Sequence, residues 1–274
     1  MPRVKLLVQM LAHTPNPESV VAMSAKLCYS GADVSQLQQQ ADRQNNAIFL
    51  QKLVDMGHLS PIEHVSFTFG VQGVSRTLLA QLTRHRLASF SVQSQRYVNQ
   101  TQGGISYVLP PAIEQLGEGA VNKFATQMDM MRQWYEEWVE LLGTGEQGNE
   151  DARFVLPNAA ETRLTMTMNA RELMHFLRVR CCMRAQWEIR AMAWAVLGHC
   201  LSVAPNLFAL TGPACVTACT EGKMSCNLQD AVNNRLEALR EFVAEHGQDS
   251  DFAYRISEWA AANTRNLVVA NEKE

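Results

Sequence analysis

Arg163-Leu164-Thr165-Met166-Thr167-Met168 alternates charged or polar with apolar side chains, and Asn169-Ala170-Arg171 follows it without a break. A period of two over six residues predicts a strand with one buried face. Immediately after it, Leu173, Phe176, Leu177 and Arg180 fall at i, i+3, i+4 and i+7, the apolar stripe of a helix over 170–180. The same strand-into-helix step occurs upstream. His64–Val71 alternates, and Ser75-Arg76 caps a helix reaching about Arg86. Working outward, residues 3–10 read as a strand and 89–108 as extended chain. Residues 17–28, 35–57 (ending at Gly57), 112–142, 186–204 and 229–245 read as helices, with the aromatics and Met pairs of 112–142 on its inner side. This irregular order predicts an α+β fold, a central mixed or antiparallel sheet flanked by helices, rather than a βαβ array.

The chain has 274 residues, 47% hydrophobic and 19% charged, which excludes a disordered polymer. It has no apolar run of 18 residues to span a membrane. A net charge of −3 argues against a general nucleic-acid binder. The first residues lack the apolar stretch of a signal peptide, so the seven cysteines read as reduced thiols of a cytoplasmic protein. Arginine outnumbers lysine 18 to 6, and every cation between Lys52 and Lys123 and between Lys123 and Lys223 is Arg or His. Arginine without lysine suggests forked recognition of phosphate or carboxylate groups.

No carboxylate occurs between Glu63 and Glu114, yet that stretch holds His64, Arg76, Arg84, His85, Arg86 and Arg96. Cations without local anions call for an external partner. On a helix over 75–86, Gln81, Arg84 and His85 share a face, while Leu78 and Leu82 take the buried side. The alternative is a helix C-terminus whose cations offset its dipole. In the second cluster Arg180 lies on the apolar stripe, where a charge needs either Glu188 or a ligand.

Arg84-His85-Arg86, seven residues, then Ser94 resembles the signature of the flavin-dependent (ThyX-type) thymidylate synthases. Gly57-His58-Leu59-Ser60-Pro61-Ile62-Glu63-His64, Arg153-Phe154-Val155-Leu156-Pro157, the run Asn169–Arg180 and Ala185-Gln186-Trp187-Glu188-Ile189 resemble the family's other motifs, in order. The resemblance covers about 1–205, a catalytic domain. Residues 206–274 form a helical, Cys-containing extension expected to pack on the same domain. The resemblance implies that dUMP is methylated to dTMP, with methylenetetrahydrofolate supplying the carbon and NADPH the electrons through FAD. It implies a homotetramer with active sites shared between subunits and binding no nucleic acid. By motif, His58, Ser60, Arg84, His85, Arg86, Asn169, Arg171 and His175 would hold FAD. Gln81, Arg84, Ser94, Gln95, Arg96, Arg153 and Arg180 would hold dUMP, with Arg180 as the catalytic residue. A desolvated guanidinium stabilises the charge that develops on a uracil receiving hydride. Val92, His175 and Arg184 depart from the family pattern.

Gly143-Thr144-Gly145-Glu146-Gln147-Gly148 satisfies G-x-G-x-x-G but follows a helix, not a strand, and reads as a solvent loop. Cys215, Cys219 and Cys226 lack a standard zinc spacing, so no metal is expected. Cys181-Cys182 reads as core packing, and Ser94 as a binding hydroxyl, because no general base is identifiable beside it. The competing readings are a non-catalytic nucleotide- or RNA-binding protein using the same arginines and a metal-binding interaction protein built on the Cys-rich tail.

Overall fold

The computed structural model describes residues 1–43, 45–98 and 105–264. Four strands, β1 (Leu7–His13), β2 (Ser66–Ser75), β3 (Ala88–Val92) and β4 (Glu161–Asn169), form one sheet in the order β1-β2-β4-β3. Thr68 meets Thr167 hydroxyl to hydroxyl at 2.9 Å, and the Gly73 amide donates to Glu161. The register falls along β4 as it rises along β2, so this central pair is antiparallel. The helices are α1 (Pro17–Leu27), α2 (Val34–Arg43), α3 (Ala47–Asp55), α4 (Arg76–Leu82), α5 (Pro111–Gln115), α6 (Glu118–Leu142), α7 (Glu146–Ala152), α8 (Ala170–Arg180), α9 (Trp187–Val203), α10 (Gln229–His246) and α11 (Phe252–Asn263).

The chain divides into two compact units. One comprises residues 1–7, 71–84 and 90–165; the other comprises 8–70, 85–89 and 166 onward. In the first, α6 buries Met128, Tyr135 and Val139 against Tyr107, Leu109, Ile105 and Ala160. The predicted single helix over 112–142 is two, because Gly117 adopts φ +92 between α5 and α6. Trp134 and Trp138 lie outside the buried stripe, 45% and 47% exposed, contrary to the expected inward aromatics. The Gly-rich segment is a loop only over 143–145; α7 begins at Glu146 and buries Gly148. Gly73, at φ +69, is required by close approach, since a Cβ there would sit 1.8 Å from the Lys5 carbonyl oxygen.

In the second unit α9 is apolar on every side and is buried from Glu188 to Leu201. Such a helix must be enclosed, and α8, α10 and α11 pack on it. Its one full-length guanidinium, Arg190, is buried and donates to the carbonyls of Met183, Ala185 and Thr264 at 2.6, 2.8 and 2.9 Å. β1 is an edge strand. Its Val8 amide donates to Ser257 Oγ at 2.9 Å, and its Val8 carbonyl accepts from His199 Nε2 at 3.0 Å, so helices satisfy groups that a neighbouring strand would otherwise take. The helical reading of 35–57 resolves into α2 and α3. Past α3, Gly57 takes φ +69 and the His58 amide returns to the Leu53 carbonyl at 2.9 Å, a Schellman close that fixes where His58 sits. No helix among the described residues is long and apolar enough to cross a membrane.

Candidate active site

The 64–86 segment corrects the sequence expectation. Ser75 caps α4 by accepting from the Leu78 amide at 3.1 Å, and Leu78 and Leu82 are buried as read. The helix stops at Leu82, however, with Thr83 Oγ1 bonded back to the Leu79 carbonyl. Gln81, Arg84 and His85 therefore do not share a helical face. Arg84 and Arg86 are exposed and form no ion pair among the described residues, whereas His85 is buried.

His85 joins the two sequence clusters. Arg180 Nε donates to His85 Nε2 at 3.1 Å, and His85 Nδ1 lies 3.4 Å from Glu172 Oε1. Accepting at Nε2 leaves the proton on Nδ1, facing the carboxylate, so the neutral ring satisfies both neighbours. Burial lowers the His85 pKa, the Arg180 charge lowers it further, and Glu172 and His175 act more weakly, in opposite directions. Burial likewise lowers the His199 pKa. Both rings bind protons more readily in the unfolded chain, so stability is complete above the ordinary histidine value of about 6.5 and falls as pH drops through the lowered folded values. Urea midpoints should therefore decrease from pH 7.5 to pH 5.5, and His85→Gln should flatten that decrease. A midpoint that rises on acidification contradicts the assignment.

Glu172 was not singled out from the sequence, although a signal exists. Asn169 is the N-cap of α8, its Oδ1 accepting from the Glu172 amide at 2.9 Å, so Asn-x-x-Glu is the helix-start pattern that sets Glu172 in the first turn. The stripe of α8 is as predicted: Leu173, Phe176 and Leu177 are buried and Arg180 is half-buried. Arg171 is exposed and pairs with Glu63. His175 is exposed, with its ring 6.0 Å from that of His85. Arg171, His175 and Arg178 border a cavity of about 510 Å³ whose walls include Leu59, Met174, Leu207 and Leu210. His58 packs edge-on to Tyr29 at 5.7 Å, and the exposed Ser60 opens the 3-10 turn Ser60–His64, which buries Pro61 and Ile62. A cationic rim over an apolar wall suits a group that combines a diphosphate with a flat ring system.

In the first unit, a residue the sequence reading left without a role stands out. Arg76 is half-buried; its Nη2 donates to the Gln93 carbonyl at 3.1 Å, and its buried Nε has no hydrogen-bond partner among the described residues. Burial and then the Arg153 charge beside it lower its pKa. Two adjacent guanidiniums, one with an orphaned donor, are suited to an anion. Arg153 Nε donates to the Glu150 carbonyl. Ser94 Oγ accepts from the Arg96 amide at 3.2 Å, forming a local turn that aligns Ser94, Gln95 and Arg96. Arg96 is not without local anions. Glu146 of α7 accepts from its Nη2 at 2.6 Å, and Glu150 lies 2.9 Å from its Nε but off the N–H direction. Among the described residues, no group of three or more His, Cys, Asp or Glu side chains is arranged to hold a metal.

Residues 9–206 match the family described as thymidylate synthase complementing protein. The chain is 46% identical to the flavin-dependent thymidylate synthase of Clostridium tetani, covering 80% of this chain and 92% of the relative. It is equally identical to that of Geobacter sulfurreducens, covering 80% and 93%. Among solved structures, the UMP/dUMP methylase PolB from Streptomyces cacaoi, bound with 5-Br dUMP, superposes with a TM-score of 0.64 at 23% identity over 77% of this chain and 97% of that one, a likeness of fold.

Proposed function

The chain belongs to the flavin-dependent thymidylate synthase family, whose members use FAD to convert dUMP to dTMP, and from that premise we propose how its residues divide the work. Gln81, Arg84, Ser94, Gln95, Arg96, Arg153 and Arg180 bind dUMP, and to these we add Arg76. His58, Ser60, Arg84, His85, Arg86, Asn169, Arg171 and His175 hold FAD. Methylenetetrahydrofolate and NADPH are the co-substrates. The working form is a cytoplasmic homotetramer with shared sites, and it needs no metal.

The observation that carries this reading is the Arg180–His85–Glu172 chain, in which the middle residue of the Arg-His-Arg signature holds the arginine of the second motif by its Nε. Anchored at Nε, the guanidinium is fixed in orientation, and its planar fork is the donor type that pairs with a uracil carbonyl edge. FAD, when bound, supplies the redox chemistry. The protein's part is to orient the pyrimidine, exclude water and present fixed donors where negative charge develops on the ring. Arg76 and Arg153 provide the charge-assisted bonds that a 5′-phosphate takes.

The test is an absorbance spectrum of the purified protein with FAD, followed by dUMP methylation with and without the folate donor and NADPH. Oxidised-flavin absorbance and methylation requiring all components are expected. Failure to bind flavin, with no dUMP turnover, overturns the reading. A charge-assisted hydrogen bond contributes about 1.5–3 kcal/mol, so Arg153→Ala should raise the KM for dUMP by about 10- to 100-fold with little change in kcat. An unchanged KM would remove Arg153 from the phosphate site.

A further inference from the structure

The family match ends at residue 206, and the segment that follows carries three cysteines in twelve residues, Cys215, Cys219 and Cys226. All three line one cavity of about 580 Å³, and so does Cys182 at the end of α8. Four thiols from two separate stretches of chain thus share a single space, and all are free. They differ from Cys181 and Cys200, which are fully buried and whose thiols burial pushes up. Trp194 Nε1 donates to the Cys181 carbonyl at 3.1 Å, and with Cys181 packed into the core its neighbour Cys182 is left on the cavity side.

Among the described residues, Arg184 ties the tail loop to the end of α8. Arg184 Nη1 donates to Glu221 at 2.5 Å and to the Met224 carbonyl at 3.0 Å, with both side chains about two-fifths exposed. An ion pair so open to solvent contributes little. A covalent bond between the same two stretches would hold them far more firmly. Cys182 and the three tail cysteines thus face one solvent-connected space, which a small oxidant can enter.

We propose that Cys182 and Cys215 form an oxidisable thiol pair, closed to a disulfide by a hydroperoxide, which fastens the tail to the end of α8. Cys215 sits on the 3-10 turn Ala214–Val216 and is half-buried. Burial raises its pKa first, and of the surrounding thiols Cys182 adds most, ahead of Cys226 and Cys219. The chemistry balances. The Cys182 thiolate attacks one peroxide oxygen, the O–O bond breaks, and a sulfenic acid forms with release of one water. The Cys215 sulfur then displaces the sulfenic hydroxyl as a second water. Two thiols lose two electrons and two protons, and the peroxide takes up both. In a reducing environment the pair stays open, and closure reports oxidant. The inference concerns the tail and holds whether or not Arg180 touches dUMP.

The test is hydrogen peroxide treatment of the full chain, then alkylation of free thiols and peptide mapping without reductant. A cross-linked peptide containing Cys182 and Cys215 is expected, two hydrogens lighter than its parts and released by dithiothreitol. Cys182→Ser and Cys215→Ser should each abolish it, and Cys28→Ser should not. Circular dichroism confirms that each variant is folded; because two independent variants report on the same bond, misfolding of one leaves the other to decide. Persistence of the cross-link at full yield in Cys215→Ser, or four alkylated cavity thiols after peroxide has oxidised Cys28, overturns the proposal.

Discussion

Arg180→Ala should lower kcat for dTMP formation by about 10²–10³, equivalent to about 3–4 kcal/mol, the usual effect of removing one fixed donor from developing charge. FAD absorbance should be retained, because the apolar wall and rim of the 510 Å³ cavity are formed by other residues. The geometry adds a sharper expectation. Arg180 is held through Nε to His85, and a lysine has no atom that can make this bond while still presenting a planar fork. Arg180→Lys should therefore recover little of the lost activity. Full activity in either variant would exclude Arg180 from the chemistry, and loss of flavin along with activity would give it a structural role instead.

Trp194→Ala carries the largest expected stability effect, about 3–5 kcal/mol. Trp194 is fully buried, its ring lies 6.3 Å from that of Trp259, and the Arg235 guanidinium sits 5.7 Å from its centroid. A loss of this size approaches the lower end of the stability of an ordinary domain, about 5 kcal/mol. Trp194→Phe separates packing from hydrogen bonding. It keeps most of the volume but strands the Cys181 carbonyl, at a cost of about 1–3 kcal/mol. Urea unfolding of the three proteins checks both values, and an alanine variant within 1 kcal/mol of the parent, on the scale of a surface substitution, would show that this helix is not the centre of the core.

The strand-to-helix step at 161–180 was legible because local pattern and tertiary demand agree there: the period changes from two to 3.6 at Asn169, which is itself the cap. At 82–86 they disagree. Nothing local ends α4 before Arg86, but a buried His85 between Arg180 and Glu172 requires the chain to leave the helix, and partners 87 and 95 residues away leave no trace in a short window. The same separation hid the anions of Arg96 and Arg171, which come from Glu146, Glu150 and Glu63. The break at Gly117 was readable in the residue itself, although the sequence reading ran one helix through it. The exposure of Trp134 and Trp138 was not, since Met128, Tyr135 and Val139 define the inner face without them. Arg76 illustrates the limit for the site: its distinction is an orphaned Nε beside Arg153, a fact of packing rather than of motif.

The edge strand β1 has a consequence for synthesis of the protein. Its Val8 amide and carbonyl are satisfied by Ser257 and His199, residues that leave the ribosome when most of the chain has already emerged. Until then the first strand has a bare margin open to any passing polypeptide, and the nascent protein depends on its last helices to become safe from sticking to its neighbours.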